Sequence, residues 1–285
     1  MKKIKTVVGL LTLVSLVACG GSGKKGEVIT FSSQLDTLTQ LKNGTVDVSI
    51  IDSVMAGYYT SKGDFKNDLQ IIPDLVLSTE QYGIGAKKGN DSLIDKINEG
   101  LYLVAKNGTL NQIADYFGVT SSLCISGTYT SNNATDNSWD NVSMNKEKIV
   151  VGYTVFAPIA YTDEEENYSG RSFTGFDTEL ARAVVQALSD RYARVLKVEF
   201  EEIQWDSKEA LLENGTIDLI WNGMTITEER KAGMAMSIPY LNNNQVAVIN
   251  KSDASKYTNK ESLKTAVIGV ESGSAGEDAA KEIIG

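Results

Sequence analysis

The side chains that most often do chemistry are scarce in this chain. Its 285 residues contain no histidine, and the two cysteines are Cys19 and Cys124. Histidine is the usual general base near neutral pH and the usual nitrogen ligand of a metal, so its absence argues against the common hydrolytic and metal chemistries. Two thiols, one of them claimed by the signal described below, do not build a zinc site, and no cofactor is expected. Carboxylates and guanidinium groups remain. Asp52 follows the apolar run 46–51, where an open α/β sheet offers its crevice; capping the next helix is the plainer use of an aspartate there. Glu271 follows the apolar run 266–270 and could pair with Asp52 for acid–base work. Ser274 and Ala275 open a predicted helix, whose free N–H groups and macrodipole attract an anion. Arg230 stands at another helix start. Its planar fork suits bidentate pairing with a carboxylate, and a surface arginine is the alternative.

Bulk properties narrow the partners. The formal net charge of -10 argues against nucleic acid, which requires basic surface to neutralise phosphates. At the N-terminus, Lys2, Lys3 and Lys5 precede the apolar stretch 7–18. At about 1.5 Å per residue that stretch is too short for a hydrocarbon layer of about 30 Å, so it reads as a secretion signal. It ends Leu16-Val17-Ala18-Cys19, followed by Gly20. This is similar to a bacterial lipobox, with residues 1–19 as signal and lipidation site, Cys19 carrying lipid, and residues 20–26 as a tether. An ordinary secretory signal with a chance cysteine is the alternative. The expected location is outside the cytoplasm, lipid-anchored to the membrane.

The elements that must position these residues alternate between strand and helix. LKNGTVDV at 41–48 and LENGTIDL at 212–219 repeat one helix-to-strand unit, which implies two similar α/β lobes. In the first copy Ser33 is the expected cap and Leu35, Leu38 and Leu41 recur at helical spacing. In the second, Asp206 with Glu209 forms a capping-box pattern and Gly215 sits where a left-handed residue ends the helix. Strands are predicted at 46–51, 149–155, 195–200, 217–221 and 266–270, and a helix over 176–188. Residues 119–148, rich in Ser, Thr and Asn with Trp139 as an exception, are predicted to be a surface linker.

The motifs IVVGYTVFAPIAY (149–161), FTGFDTELARAVVQAL (173–188), NGTIDLIWNGMTITEERKAGMAMSIPY (214–240) and VIGVESGSAGEDAA (267–280) resemble the N-terminal part of the family-3 solute-binding proteins, which serve polar amino-acid ABC transporters. NGTVDVSIID (43–52), EQYGIGAKKGNDSL (80–93) and NGTLNQIADYFG (107–118) resemble the C-terminal part of the same family. The two pieces stand in reversed order, so the chain resembles a circular permutant. The resemblance implies an α/β fold of the type II periplasmic-binding class with two lobes and a central cleft. One lobe would comprise 27–82 with 247–285, and the other 149–246 with closing helices at 83–118. A pair of truncated copies that complement between chains, or a domain-swapped dimer, would give the same sequence pattern; a monomer is otherwise expected.

The resemblance also implies a free amino acid as ligand, an ABC permease as partner and no catalysis. Arg230 matches the carboxylate-binding arginine and Asp52 the acid that takes the ammonium. Gly223 and Thr225 match backbone and hydroxyl contacts, and Ser274 and Ala275 the contribution of the other lobe; Ala275 departs from the commoner threonine and offers its N–H alone. Phe156 matches an aromatic that covers the ligand, with core packing as its other reading. Asn222, Trp221 and Glu271 are candidates for the side-chain pocket, although Trp221 inside an apolar strand reads as core. Glu271 would favour a cationic side chain if it faces the cleft. Segments 80–84 and 244–248 resemble the two strands that cross between lobes, about which closure would occur. A sensor or a dehydratase-like enzyme on the same fold is the alternative function.

Overall fold

The apolar runs become the middle of one mixed sheet. The computed structural model describes residues 25–62, 65–165 and 168–285; the signal, Cys19 and tether residues 20–24 lie outside them. The strands are β1 (Glu27–Phe31), β2 (Val48–Asp52), β3 (Leu69–Lys87), β4 (Lys148–Tyr153), β5 (Tyr161–Thr162), β6 (Phe173–Thr174), β7 (Lys197–Glu202), β8 (Leu219–Thr225), β9 (Met234–Met236), β10 (Leu241–Asn250) and β11 (Val267–Glu271). The helices are α1 (Gln34–Lys42), α2 (Ser53–Ser61), α3 (Asp91–Lys106), α4 (Thr109–Phe117), α5 (Ser138–Asp140), α6 (Phe176–Tyr192), α7 (Lys208–Asn214), α8 (Glu228–Gly233), α9 (Lys260–Leu263) and α10 (Ala275–Ile284).

The sheet runs β1-β11-β2-β10-β3-β8-β4-β7, with β9 beside β3. On one side β11 pairs in parallel with both β1 and β2. On the other β4 pairs in parallel with both β7 and β8. Between these parallel triplets lie the long antiparallel strands β10 and β3, joined from Leu241↔Tyr82 to Asn250↔Leu69. The central strand of each triplet and its neighbour toward the middle are apolar and covered on both faces, as parallel sheets require. Every residue of β2 and of β8 is buried. The expected crossing segments 80–84 and 244–248 fall on β3 and β10.

Local signals mostly set the helix ends. Ser33 accepts from Asp36 N at the start of α1, and Gly215 closes α7 in the left-handed region at φ 78°, where a Cβ would be strained. Asp206 departs from expectation. A 3₁₀ turn occupies Trp205–Ser207, α7 begins at Lys208, and its N-cap Ser207 makes no side-chain cap bond. The turn places Trp205 inward and leaves Asp206 outside the cap geometry, so the capping box does not form.

Residues 119–148 also differ from a free linker. The segment is strapped across α3 and β10. Leu123 bridges Leu241 and Cys124 N donates to Tyr240 O. Asp95 on α3 accepts from Tyr129 Oη, Ser131 Oγ and Asn132 N. Asp136 accepts from Ser92 N at 2.7 Å, and Ser138 Oγ accepts from Leu93 N at 3.0 Å. Because Asn90 gives α3 no side-chain cap, the strap itself caps that helix. Trp139 and Val142 are buried with it.

Candidate functional site

Each parallel triplet ends its strands toward the same place. Asp52 is the last residue of β2 and Glu271 the last of β11; Gln34 opens the helix after β1, and Ser274 and Ala275 open the helix after β11. Across from them, Thr154 and Phe156 follow β4, Trp205 follows β7, and Asn222, Gly223 and Thr225 close β8, with Arg230 on α8 beyond it. These twelve residues line one cavity. All nine predicted ligand residues other than lipidated Cys19 are among them. Gln34, Thr154 and Trp205 were not anticipated. All three stand just past the carboxyl end of a parallel strand, so the crevice rule applied strand by strand would have found them. Trp221, by contrast, is core.

Arg230 reaches the cavity from α8. Its N–H groups donate to Thr225 O at 2.7 Å and to Gly273 O at 3.3 Å, so the guanidinium is oriented by its own strand and ties it to the β11–α10 loop opposite. The Trp205 ring lies 6.0 Å from it, within reach of a cation–π contact. Ser274 caps α10 by accepting from Glu277 N at 3.2 Å, which turns the first N–H groups of that helix toward the same space.

Gly223 has φ 61°, and a Cβ there would lie 2.7 Å from Phe156 Cε1 and 3.2 Å from Tyr82 Cε2. Only glycine fits. Its N–H donates to Asp177 Oδ2 at 2.7 Å, and Tyr240 Oη donates to the same oxygen at 2.7 Å. Burial pushes the Asp177 carboxyl up to about 7, against those two donors. Asp177 thus holds the backbone of β8 at Gly223, where it meets the cavity.

Asp52 occupies the N-cap position of α2 but makes no cap bond. Its side chain is turned inward and held by four donors: Tyr82 Oη at 2.7 Å, Gln245 Nε2 at 3.1 Å, Asn243 Nδ2 and Gln34 Nε2. Asn243 and Gln245, both on β10, donate in addition to Glu80 on β3. Burial, then the nearby Glu80 carboxylate, hold the Asp52 carboxyl well above the ordinary range. A cation entering the cavity would offset both effects. Glu271 is 3% exposed, and burial pushes it up to about 8 although Lys208 draws it down. The arrangement offers a guanidinium and helix N–H groups to an anion, carboxylates to a cation, and aromatic faces from Phe156 and Trp205 to the carbon between them. Among the described residues no group of three or more Cys, Asp or Glu is placed to hold a metal ion.

Part of the chain is related in sequence to known proteins. Residues 149–271 match the bacterial extracellular solute-binding proteins, family 3. The chain is 32% identical over 131 residues to a probable histidine-binding protein of Neisseria gonorrhoeae, which is 46% of this chain and 44% of that one. It is 29% identical over 139 residues to the arginine-binding extracellular protein ArtP of Bacillus subtilis, 48% of this chain and 49% of the other. A solved polar amino acid ABC uptake transporter substrate binding protein from Streptococcus thermophilus is 37% identical over 36% of each chain, with a TM-score of 0.28. The chain spans under half the length of the curated relatives it matches. Over residues 149–271, this chain is similar to the bacterial extracellular solute-binding proteins of family 3.

Proposed function

We propose that this protein binds a free amino acid in the cavity between the two parallel triplets and delivers it to an ABC permease outside the cytoplasm. The observation that carries the reading is the placement of Arg230 and Asp52 in one cavity, the two charges a zwitterion needs. An unpaired buried charge is costly, so a closed site must answer both ends of its ligand. Thr225, Gly223 and the α10 N-terminus would complete the carboxylate and ammonium contacts, Phe156 would cover the ligand, and Cys19 would carry the lipid anchor. The long pair β3 and β10 would act as the hinge.

A circularly permuted order fits the strand arrangement. Reading outward from the middle, β3-β8-β4-β7 and β10-β2-β11-β1 follow one pattern. In the first half the strand next to the edge, β4, is the earliest of its parallel triplet in the chain; in the second its counterpart β11 is the latest. The end of α10 lies beside β1, with Lys25 Nζ donating to Gly285 O at 2.8 Å.

A thermal-shift screen of the chain from Gly20 against the twenty amino acids, cystine, ornithine and citrulline tests the function. Ligand at 100 times its Kd adds about 2.7 kcal/mol, a shift of several degrees. A cooperative melt that none of these compounds moves would refute the reading. Chemical change of the ligand after incubation would favour the acid–base use of Asp52 and Glu271 instead.

A further inference from the structure

Once a zwitterion is placed in the cavity, one carboxylate is left over. Arg230 answers the ligand carboxylate and Asp52 its ammonium, while Glu271 lines the same space with no counterpart. Its Oε1 is buried and accepts from nothing. Gln34 hydrogen-bonds the Glu271 carboxyl and Lys208 acts on it electrostatically, but Lys208 is committed elsewhere: its ammonium pairs with Glu209 at 3.2 Å and donates to Trp205 O at 3.1 Å and Gly273 O at 3.4 Å. An ammonium has three N–H donors, so these contacts use its capacity. Asn222 presents a second open acceptor. Its amide nitrogen donates to Thr154 Oγ1 at 3.0 Å, and its Oδ1 is buried without a partner. Among the described cavity residues, the buried side-chain atoms left unpartnered are therefore both acceptors.

Resting on the amino-acid reading above, we infer that Glu271 and Asn222 select a ligand whose side chain ends in a cation, a guanidinium or a primary ammonium. Such a group donates without accepting, so it satisfies both open oxygens. A neutral amide would bring its own carbonyl oxygen toward two oxygens that only accept. The Trp205 and Phe156 rings line the path and suit the apolar stem that precedes a lysine or arginine head group, and an aromatic face also attracts the head group itself.

The test compares L-arginine, L-lysine and L-ornithine with L-citrulline and L-norleucine by calorimetric titration of the whole chain at neutral pH. Citrulline keeps the length and planarity of arginine and lacks its charge. Arginine or lysine is expected to bind at least about 100-fold tighter than citrulline, in line with the strength of charge-assisted pairs in buried sites. In Glu271→Gln that advantage should fall below about tenfold, since the variant keeps the shape and removes the charge. Citrulline or norleucine binding as tightly as arginine overturns the inference and leaves the amino-acid reading standing; this comparison requires no variant. An undiminished arginine advantage in a folded Glu271→Gln protein also overturns it. Absence of binding by every amino acid overturns the proposed function and this inference with it.

Discussion

Arg230 is the residue on which the proposed site depends most directly. Arg230→Ala should lower amino-acid affinity by two or more orders of magnitude, because truncating one member of a buried charge pair costs about 2–5 kcal/mol. Its melting temperature should stay near that of the parent, since the lost bonds to Thr225 O and Gly273 O lie at the cavity rim. Near-normal affinity, measured by titration, would remove the carboxylate assignment. Asp52→Asn makes the complementary prediction. Binding of the amino acid should weaken far more than binding of the matching carboxylic acid without the ammonium; equal losses would show that Asp52 serves the hydrogen-bond network of Asn243, Gln245 and Glu80 rather than the ligand. Both residues were identifiable from motif and strand position. What the sequence did not reveal was their use: Asp52 forgoes its cap bond, a choice made by Tyr82, Asn243 and Gln245, which reach it from strands distant in the chain.

At the scale of elements, the apolar runs and their turn residues foretold the strands that converge on the cavity, because a parallel strand buried on both faces leaves a continuous hydrophobic signature. The strap 119–148 left no such signature. Its contacts are polar, made one at a time to α3, and a Ser- and Asn-rich stretch looks the same whether or not partners await it. Asp136 is its chief anchor, accepting from Ser92 N and Ser92 Oγ. Asp136→Ala should cost about 1 kcal/mol, the usual value of a helix cap, visible as a lowered melting temperature. It should also make residues 123–137 more open to limited proteolysis; an unchanged cleavage rate would mean that Leu123 and Trp139 hold the strap without it. The 3₁₀ turn at Trp205 belongs to the same class. A capping pattern at Asp206 and Glu209 competed with the burial of the indole, and burying a large aromatic outweighs a cap.

For the molecule as a whole, three buried carboxyls at or beside the cavity make stability depend on pH. Glu271 is raised to about 8, Asp177 to about 7, and Asp52 well above its usual range. Each holds its proton more tightly when folded, so its contribution is complete below pH about 4 and is lost as pH rises through the folded value. Carboxyls shifted the other way, such as Asp136 at about 2, lose their contribution below pH 4 and do not act in the same window. The ligand-free protein should therefore lose on the order of a few kcal/mol between pH 5 and pH 8. Its melting temperature should fall across that range, with a shallower slope in Glu271→Gln. A flat or rising profile would mean that cations from the solvent side already neutralise the cavity.

The sequence by itself foretold five strand runs and the repeated helix-to-strand unit, because strand burial is a local property written in consecutive positions, while the nine anticipated residues that line the cavity came from residue type together with the family resemblance. The tertiary structure alone decided which of the charges face one another. The two parallel triplets bring the ends of β2 and β11 against those of β4, β7 and β8, and so place Glu271 opposite Asn222 with their acceptors open, while Lys208 is drawn away to Glu209, Trp205 O and Gly273 O. Charge balance in a closed space is a sum over segments far apart in the chain, and no local pattern encodes that sum.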